Sequence, residues 1–567
     1  MRSHSGSSHR DIVAISTEES KTDPLVKYRG RLRRWPGVVL LVLMVLISIS
    51  LILLAGRRHH STFLVRLEAY KERAYGKKSI TGGADGSDGI ADLDDGEIGN
   101  PVKYPPSECA MPDYQSKQGK IYAMAANGTE VPISIKGVNW FGMETYELSV
   151  VGLTLSTQRS NTTASIDCEA DRRSSLGFGT MLLLEQQRLP LYHRPTNTSR
   201  LGQYHIASYL SDNKFNAVRL PIMVDHLLKN TPPTKGMLNT FSNQAVSAKD
   251  YLSMLKSIIQ VLQFRRIGVL ISMHTLIDGD TGGLWYNDAI SEDDFLSAID
   301  ILTSNLCSSD YWNVMGIDVK NEPYKAQWGS GPAAKDFRLG AARITERMLE
   351  GCPNWMGFVE GLNYRSHNLT IDGDHYEYND WYGGGLQDVK EHPIEMTTPN
   401  KIVWAPHYYT SAVYVQDYFY GGGTIDWETR ELDNFVELDD ETLKLRVSAT
   451  MLDMFGYLMD EQPQYALLLG EFGGLYARDE HPKKTIQRTV DDTIAVMVEN
   501  GYTGGFAWSL NPESKYQYCS ADKGGLVATF EEGLLELDWL TTNVKYLSAL
   551  AAMDALPDLR RLPCFAL

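Results

Sequence analysis

Eight short, almost unbroken apolar runs follow Pro106, and they restrict the fold more than any other feature of the sequence. They are ISIKGVNW (Ile133–Trp140), NAVRLPI (Asn216–Ile222), GVLISMHT (Gly268–Thr275), VMGIDVKNEP (Val314–Pro323), WMGFVEGL (Trp355–Leu362), KIVWAPHYY (Lys401–Tyr409), YALLLGEFGG (Tyr465–Gly474) and GGFAWSL (Gly504–Leu510). A strand with one wet face alternates apolar and polar residues. Runs without alternation suit strands buried on both faces, as in parallel sheets. Helical patterns separate them. Ser247-Ala-Lys-Asp250 reads as a capping-box start ahead of Leu255, Ile258, Ile259 and Leu262, and Ser291-Glu-Asp-Asp294 opens a second helix. Later, Ile486, Val490, Ile494 and Met497 repeat every three to four residues. Eight buried strands, each followed by a helix, predict an α/β fold closed into a (β/α)8 TIM barrel. An open doubly wound sheet is the alternative; no Gly-x-Gly-x-x-Gly follows the first run, so nucleotide binding has no support.

The barrel region, 107–567, is preceded by three segments of different character. Residues 1–35 carry Ser, Arg and Glu without an apolar period and read as a disordered cytosolic tail. Within 36–56 the stretch Gly37–Gly56 holds no charge and is long enough, at about 1.5 Å per residue, to cross a bilayer. A cleaved signal peptide is the alternative, but the run exceeds a usual h-region and 36 residues precede it, which favours an uncleaved anchor. Residues 57–106, with TGGADGSDGIADLDDGEIGNP, cannot bury a core and read as a flexible stem. A calcium loop starting at Asp92 fails because its glycine comes at the fifth position rather than the sixth. All six cysteines (Cys109, Cys168, Cys307, Cys352, Cys519, Cys564) and the sequons at Asn127, Asn161, Asn197 and Asn368 follow the anchor. Together they put the large domain on the oxidising side, as a single-pass type II membrane protein with its catalytic domain extracellular or lumenal. The net charge of −17, with no basic run in the folded part, excludes nucleic acid as a partner.

Polar residues in the eight runs gather at their C-terminal ends, where (β/α)8 barrels keep their sites. In order they are Trp140, Arg219, His274, Asn321 with Glu322, Glu360, His407 with Tyr409, Glu471 and Trp508. Charges at the ends of buried strands are costly unless paired, so a cluster of them implies a site. Two carboxylates flanked by His, Tyr, Asn and Trp suit acetal cleavage, in which one acid protonates the leaving oxygen and a second meets the oxocarbenium-like centre. Trp140, Trp285, Trp381 and Trp508 lie at strand ends or in the loops after them and are candidates to stack on sugar faces; Trp312 and Trp404 are assigned to the core. No metal or other cofactor is expected, since His274 and His407 lie on non-adjacent strands without a short-spaced ligand pair. A Ser/His/Asp triad lacks its Gly-x-Ser-x-Gly elbow.

GVNWFGMET, NAVRLPI, LWYND, GIDVKNEP, VWAPHYYTSAVYVQDYF, LLLGEFGG and GGFAWSLNPES, in this order, closely resemble glycoside hydrolase family 5, the cellulase family, from about Lys120 to Trp539. The resemblance implies a retaining mechanism with Glu322 as acid/base and Glu471 as nucleophile. It implies further that Asn321 holds the sugar 2-hydroxyl, that Arg219 and Tyr409 orient Glu471, and that Trp508 stacks under the cleaved sugar. His274 and His407 match supporting positions; Glu360 matches no catalytic position. GVNWFGMET and HYYTSAVYVQDYF look most like the bacterial-type endoglucanases, which favours a β-1,4-glucan substrate. A β-mannanase or β-1,3-glucanase of the same fold, a transglycosylase using the same intermediate, and a non-catalytic carbohydrate-binding surface protein are the alternatives. An insertion at about 145–203 departs from the family and should overhang the cleft. The barrel also narrows the disulfides. Cys307 and Cys352 close helices before neighbouring strands, Cys168 and Cys519 lie in loops brought together by closure, and Cys109 and Cys564 lie where the chain ends meet. The expected pairs are Cys307–Cys352, Cys168–Cys519 and Cys109–Cys564.

Overall fold

The computed structural model describes residues 101–145, 202–234, 238, 240, 243–363, 365–426, 431–460, 463–519 and 527–567, together with Leu43, Met44, Leu46, Ser48 and Ser50. The chain divides into two units, Met1–Lys77 and Lys78–Leu567. In the first, the five described residues are helical and belong to the apolar run. The rest of the expected anchor, the tail and most of the stem lie outside the described residues. Among the described residues no helix is long and apolar enough to cross a membrane.

The second unit is built on the eight expected strands: β1 (Ile135–Asn139), β2 (Ala217–Met223), β3 (Gly268–Thr275), β4 (Val314–Asp318), β5 (Met356–Val359), β6 (Ile402–Trp404 and His407–Tyr409), β7 (Ala466–Leu467 and Leu469–Gly473) and β8 (Gly504–Trp508). Neighbours pair in parallel from β8 through β1 to β5, and then on to β6 and β7. The upper half of β6 pairs with the upper half of β7, which pairs with β8. The order thus returns to its start, and the sheet closes. Both interrupted strands keep their ladder across the break, since Leu468 N–H donates to Trp404 O (2.9 Å) and Gly470 N–H to Pro406 O (2.9 Å). Every residue of the eight strands is buried except Trp508, which is half-buried at the mouth. That burial on both faces is why the runs lack alternation.

Among the described residues of this unit are eight α-helices: α1 (Gln203–Asp212), α2 (Val224–Lys229), α3 (Tyr251–Phe264), α4 (Glu292–Leu306), α5 (Phe337–Gly351), α6 (Asp440–Met454), α7 (Thr485–Glu499) and α8 (Val544–Leu550). The start of α4 is as read, with Ser291 and Asp294 bonding each other's backbone N–H in a capping box. For α3 the reading is corrected. Asp250, not Ser247, is the cap, its carboxylate accepting from Ser253 N–H at 2.8 Å. The expectation of a helix after every strand is corrected as well. Beyond β5 the described chain forms an antiparallel hairpin, Ser366–Ile371 with Asp374–Asn379, and no α-helix before β6. Its turn residues, Asp372 and Gly373, both have positive φ (52° and 88°), the requirement of a type I′ hairpin that Asp-Gly meets cheaply.

A three-stranded antiparallel sheet (Asp113–Lys117, Lys120–Met124, Glu130–Ile133) covers the N-terminal end of the barrel. Backbone N–H groups of Tyr114, Ser116 and Gln118 donate to the carbonyls of Asn354, Asn400 and Gln464, each just ahead of β5, β6 or β7. Its apolar side chains Tyr114, Ile121 and Ala123 join Leu270, Met315, Phe358, Val403, Leu468 and Phe506 in one cluster. Two disulfides fasten the same end. Cys307 and Cys352 cap the C-termini of α4 and α5 and are bonded, and Cys109 is bonded to Cys564. The expected Cys168–Cys519 pair cannot be placed, because Cys168, with Asn161, Asn197 and nearly all of the insertion, lies outside the described residues.

Candidate active site

The C-terminal ends of the strands converge on one buried guanidinium. Arg219 is fully buried on β2 and uses its whole fork. Nε and Nη2 donate to Asp318 Oδ2 (3.0 and 2.6 Å), Nη2 also to Asn321 Oδ1 (2.8 Å), and Nη1 to Asn139 Oδ1 (2.9 Å) and to Glu471 Oε1. Burial alone would lower its pKa; the charges of Asp318, Glu471 and Glu360 outweigh it and raise it. Arg219 is thus a fixed cation whose planar fork sets the direction of the Glu471 carboxylate. The second oxygen of Glu471 accepts from the Tyr409 hydroxyl. Burial, and then the Glu471 charge, push the Tyr409 pKa well up, so the hydroxyl keeps its proton and acts as a donor.

Glu322 follows β4 and is half-buried, with φ of +44°, a left-handed backbone that is uncommon outside glycine. Its N–H donates to Glu360 Oε2 (2.8 Å), and its Oε1 lies 3.1 Å from His407 Nδ1. His407 on β6 sits between acids: Nε2 is 3.0 Å from Glu360 Oε1 and Nδ1 is 3.7 Å from Glu471 Oε2. Burial would lower its pKa, but Glu360 and Glu471 raise it well above the ordinary imidazole value. His274 is its opposite. Burial, with the nearby charges of Arg219 and Lys320, pushes it well down, so it stays neutral. Its ring lies parallel to Trp508 (16°, centroids 6.2 Å apart), and Trp508 in turn stacks on Phe141 (12°, 5.4 Å).

Of the residues singled out in the sequence, Arg219, Asn321, Glu322, His407, Tyr409 and Glu471 therefore meet directly, with His274 and Trp508 beside them. Three tryptophans are corrected. Trp140 is fully buried, and Trp285 (1% exposed) is packed against Phe337 and Gly340 with its indole N–H on Glu292. Trp381 is packed against Tyr408, Tyr409 and Phe419. All three are buried, so none presents an open ring face to a sugar. The half-buried aromatic surface beside Glu322 comes instead from Tyr324 and Tyr382, parallel at 5.3 Å. Asn139, Asp318 and Glu144 were also missed. Asp318 is the last residue of β4, three before Asn321 and in phase with Arg219 across the sheet, and that alternation was the available signal.

Glu322, His407 and Glu471 offer ligand-type atoms all within 4.8 Å of one another, the one such group among the described residues. Both oxygens of Glu471 are already held, one by the fixed positive charge of Arg219 and the other by the Tyr409 hydroxyl. The donor set suits acid–base chemistry better than a divalent cation.

Residues 191–514, more than half of the chain, match the family described as Cellulase (glycosyl hydrolase family 5). The chain is 30% identical over 314 residues to the major extracellular endoglucanase of Xanthomonas campestris pv. campestris, covering 55% of this chain and 56% of that protein. It is 28% identical over 330 residues to an endoglucanase of Paenibacillus polymyxa, covering 58% and 71%. It thus spans little more than half of the first of these relatives. Among solved structures, a cellotetraose complex of the endocellulase from Pyrococcus horikoshii superposes with a TM-score of 0.56 at 26% identity, over 79% of this chain and all of that one. The catalytic domain of the Xanthomonas endoglucanase gives 0.54 at 24% identity, over 78% and 99%, a likeness of fold. With its eight buried strands, its paired carboxylates and this match, the chain belongs to glycosyl hydrolase family 5, the cellulase family.

Proposed function

We propose that this protein is a retaining endo-acting glycoside hydrolase that cuts β-1,4-glucosidic bonds in cellulose-like polysaccharide. The observation that carries the reading is the pair of carboxylates: an oxygen of Glu322 and one of Glu471 lie within 4.8 Å of each other. Retaining enzymes keep their carboxyl groups about 5–5.5 Å apart, whereas inverting enzymes leave about 6.5–9.5 Å for a water. In the first step Glu471, held by Arg219 and Tyr409, attacks the anomeric carbon while Glu322 gives its proton to the leaving oxygen. A covalent glycosyl–enzyme results. In the second step Glu322, now a carboxylate, takes a proton from water as the water attacks the same carbon and Glu471 departs. Asn321, fixed by Arg219, faces the reacting sugar as a hydroxyl partner, and Trp508 offers the stacking face. A full complement of these groups favours an enzyme over a binding protein with a disabled barrel. The cellotetraose bound by the Pyrococcus endocellulase favours β-glucan over mannan or β-1,3-glucan.

Product analysis on carboxymethyl-cellulose, mannan and laminarin tests the reading. Cello-oligosaccharides of mixed length, released with retained β-configuration, are expected. Products from mannan or laminarin alone, or none from any of the three, would reject it.

The domain's placement belongs to the same proposal: the charge-free stretch 37–56 anchors it in a bilayer as a type II protein, glycosylated on the far side. The exposed positions of Asn127 and Asn368 and the two disulfides are consistent with that side. Release of the full chain from membranes by alkaline carbonate would overturn the anchor.

A further inference from the structure

We propose that Glu360 is a positioning residue for the acid/base: by holding the Glu322 backbone and a proton on His407 Nε2, it keeps His407 Nδ1 as the proton partner of the Glu322 carboxyl. The inference rests on the roles proposed above for Glu322 and Glu471. No family position assigns Glu360 a part, yet it is as buried as Arg219 and touches the supports of both carboxylates.

Its two oxygens divide the work. Oε2 accepts the N–H of Glu322 at 2.8 Å and so pins the left-handed backbone from which the acid projects. Oε1 lies 3.0 Å from His407 Nε2 and 3.2 Å from Arg219 Nη2. The approach to Nε2 is oblique, an ion pair rather than an aligned hydrogen bond, but a carboxylate at that distance favours a proton on Nε2. Which imidazole nitrogen carries a proton is set by the partner of the other. With Nε2 protonated, Nδ1 is the nitrogen left to exchange a proton with Glu322 Oε1, 3.1 Å away.

The surroundings protect this arrangement. The charged groups facing Glu360 are Arg219 from β2, Asp318 from β4, Lys320 and Glu322 just beyond β4, and His407 from β6. Burial, with the Asp318 charge, pushes the Glu360 pKa up, against the opposing pull of His407 and Arg219. On the remaining side the chain passes as Gly383, with φ of +74°. A Cβ there would stand 2.6 Å from Glu360 Oε2 and 3.0 Å from the His407 ring. The backbone of Gly383 thus seals the pair from water, and Gly383 O accepts from Gly361 N–H at 2.7 Å. Removing Glu360 should spare the nucleophile, because Asp318, Asn139 and Asn321 still hold Arg219.

The test separates leaving groups. A dinitrophenyl β-cellobioside needs no acid assistance, whereas cellotetraose does, and general acid catalysis is worth about 10²–10⁴-fold. Glu360→Gln should lower kcat/KM on cellotetraose about 100-fold and on the aryl substrate less than about 5-fold. Glu360→Asp, which keeps the charge, should recover at least about tenfold of that loss. Equal losses on both substrates, or no recovery in Glu360→Asp, would make Glu360 a structural residue and overturn the proposal. The protonation itself is read by ¹⁵N NMR of labelled histidine in the unsubstituted protein, which needs neither a folded variant nor turnover. His407 Nε2 should carry a proton from pH 5 to pH 8; a bare Nε2 refutes the inference. If the enzyme cleaves no β-glucoside, the functional reading fails while the NMR result still decides Glu360.

Discussion

The lower half of the barrel interior is filled with Leu270, Met315, Phe358, Val403, Leu468 and Phe506. The upper half, from the same strands a few residues on, holds Arg219, Asp318, Glu360, His407 and Glu471, all buried. Below, a side chain is held by shape and by the apolar area it removes from water. Above, it is held by charge, and each ion tolerates burial only because several others bond it. Loss of volume below should cost stability and leave chemistry alone. Loss of charge above should cost chemistry first. The contrast is sharpest between Glu471 and Phe506, on the neighbouring strands β7 and β8.

The largest effect should come from Glu471→Gln. The amide keeps the size of the carboxylate and can still accept from Arg219 through one oxygen, but it is a poor nucleophile. Turnover should fall by about 10⁵-fold, as when other covalent nucleophiles are removed. The melting transition should stay cooperative. Residual activity within about 100-fold of wild type, on a substrate requiring the first step, would place the nucleophile elsewhere.

Phe506→Ala is the converse. A buried aromatic truncated to alanine typically costs about 3–5 kcal/mol, while kcat at a temperature where the variant is folded should change less than about threefold. The ring fits against Gly137, where even a Cβ would come within 2.3 Å of it, so little is at hand to fill the void. A large fall in kcat with unchanged urea stability would break the division between the halves. Replacing both Cys307 and Cys352 by alanine opens a 45-residue sequence separation at the lower rim. From loop entropy we expect about 4 kcal/mol of destabilisation, again without a change in KM.

The lower half was plain in the sequence because apolar runs without alternation have few other folded uses. The strand ends were nearly as plain, since Arg219, Glu322, His407 and Glu471 are costly in a core unless they form a site. What escaped were features fixed by the tertiary fold. The burial of Trp285 and Trp381 depends on partners, Phe337 and Tyr418, that are distant in sequence. The hairpin after β5 announced itself in Asp372-Gly373, but helix-after-strand periodicity overrode that local signal. Glu360 stood out only as a strand-end acid; its role emerges from contacts with residues on three other chain segments.

Glu144 tests whether every acid in the upper half needs a cation. It lies beyond β1, buried, with Oε2 accepting the Gly142 N–H at 2.7 Å. Burial pushes its pKa from 4.5 up to about 7, against its backbone hydrogen bonds and the attraction of Arg219, with Glu471 adding to the rise. The folded form therefore keeps a proton that the unfolded chain loses first. Its stabilising contribution is complete below pH 4.5 and is lost as pH rises through about 7. A shift of this size corresponds to on the order of 3 kcal/mol. Glu144→Gln does not titrate, and its side-chain oxygen can still accept from Gly142. Urea unfolding at pH 4.5 and pH 7.5 should show the variant gaining stability relative to wild type by roughly that amount between the two. A difference that does not change with pH would mean that Glu144 is ionised in the fold, compensated by Arg219 across the site, and that the upper half admits no unpaired acid.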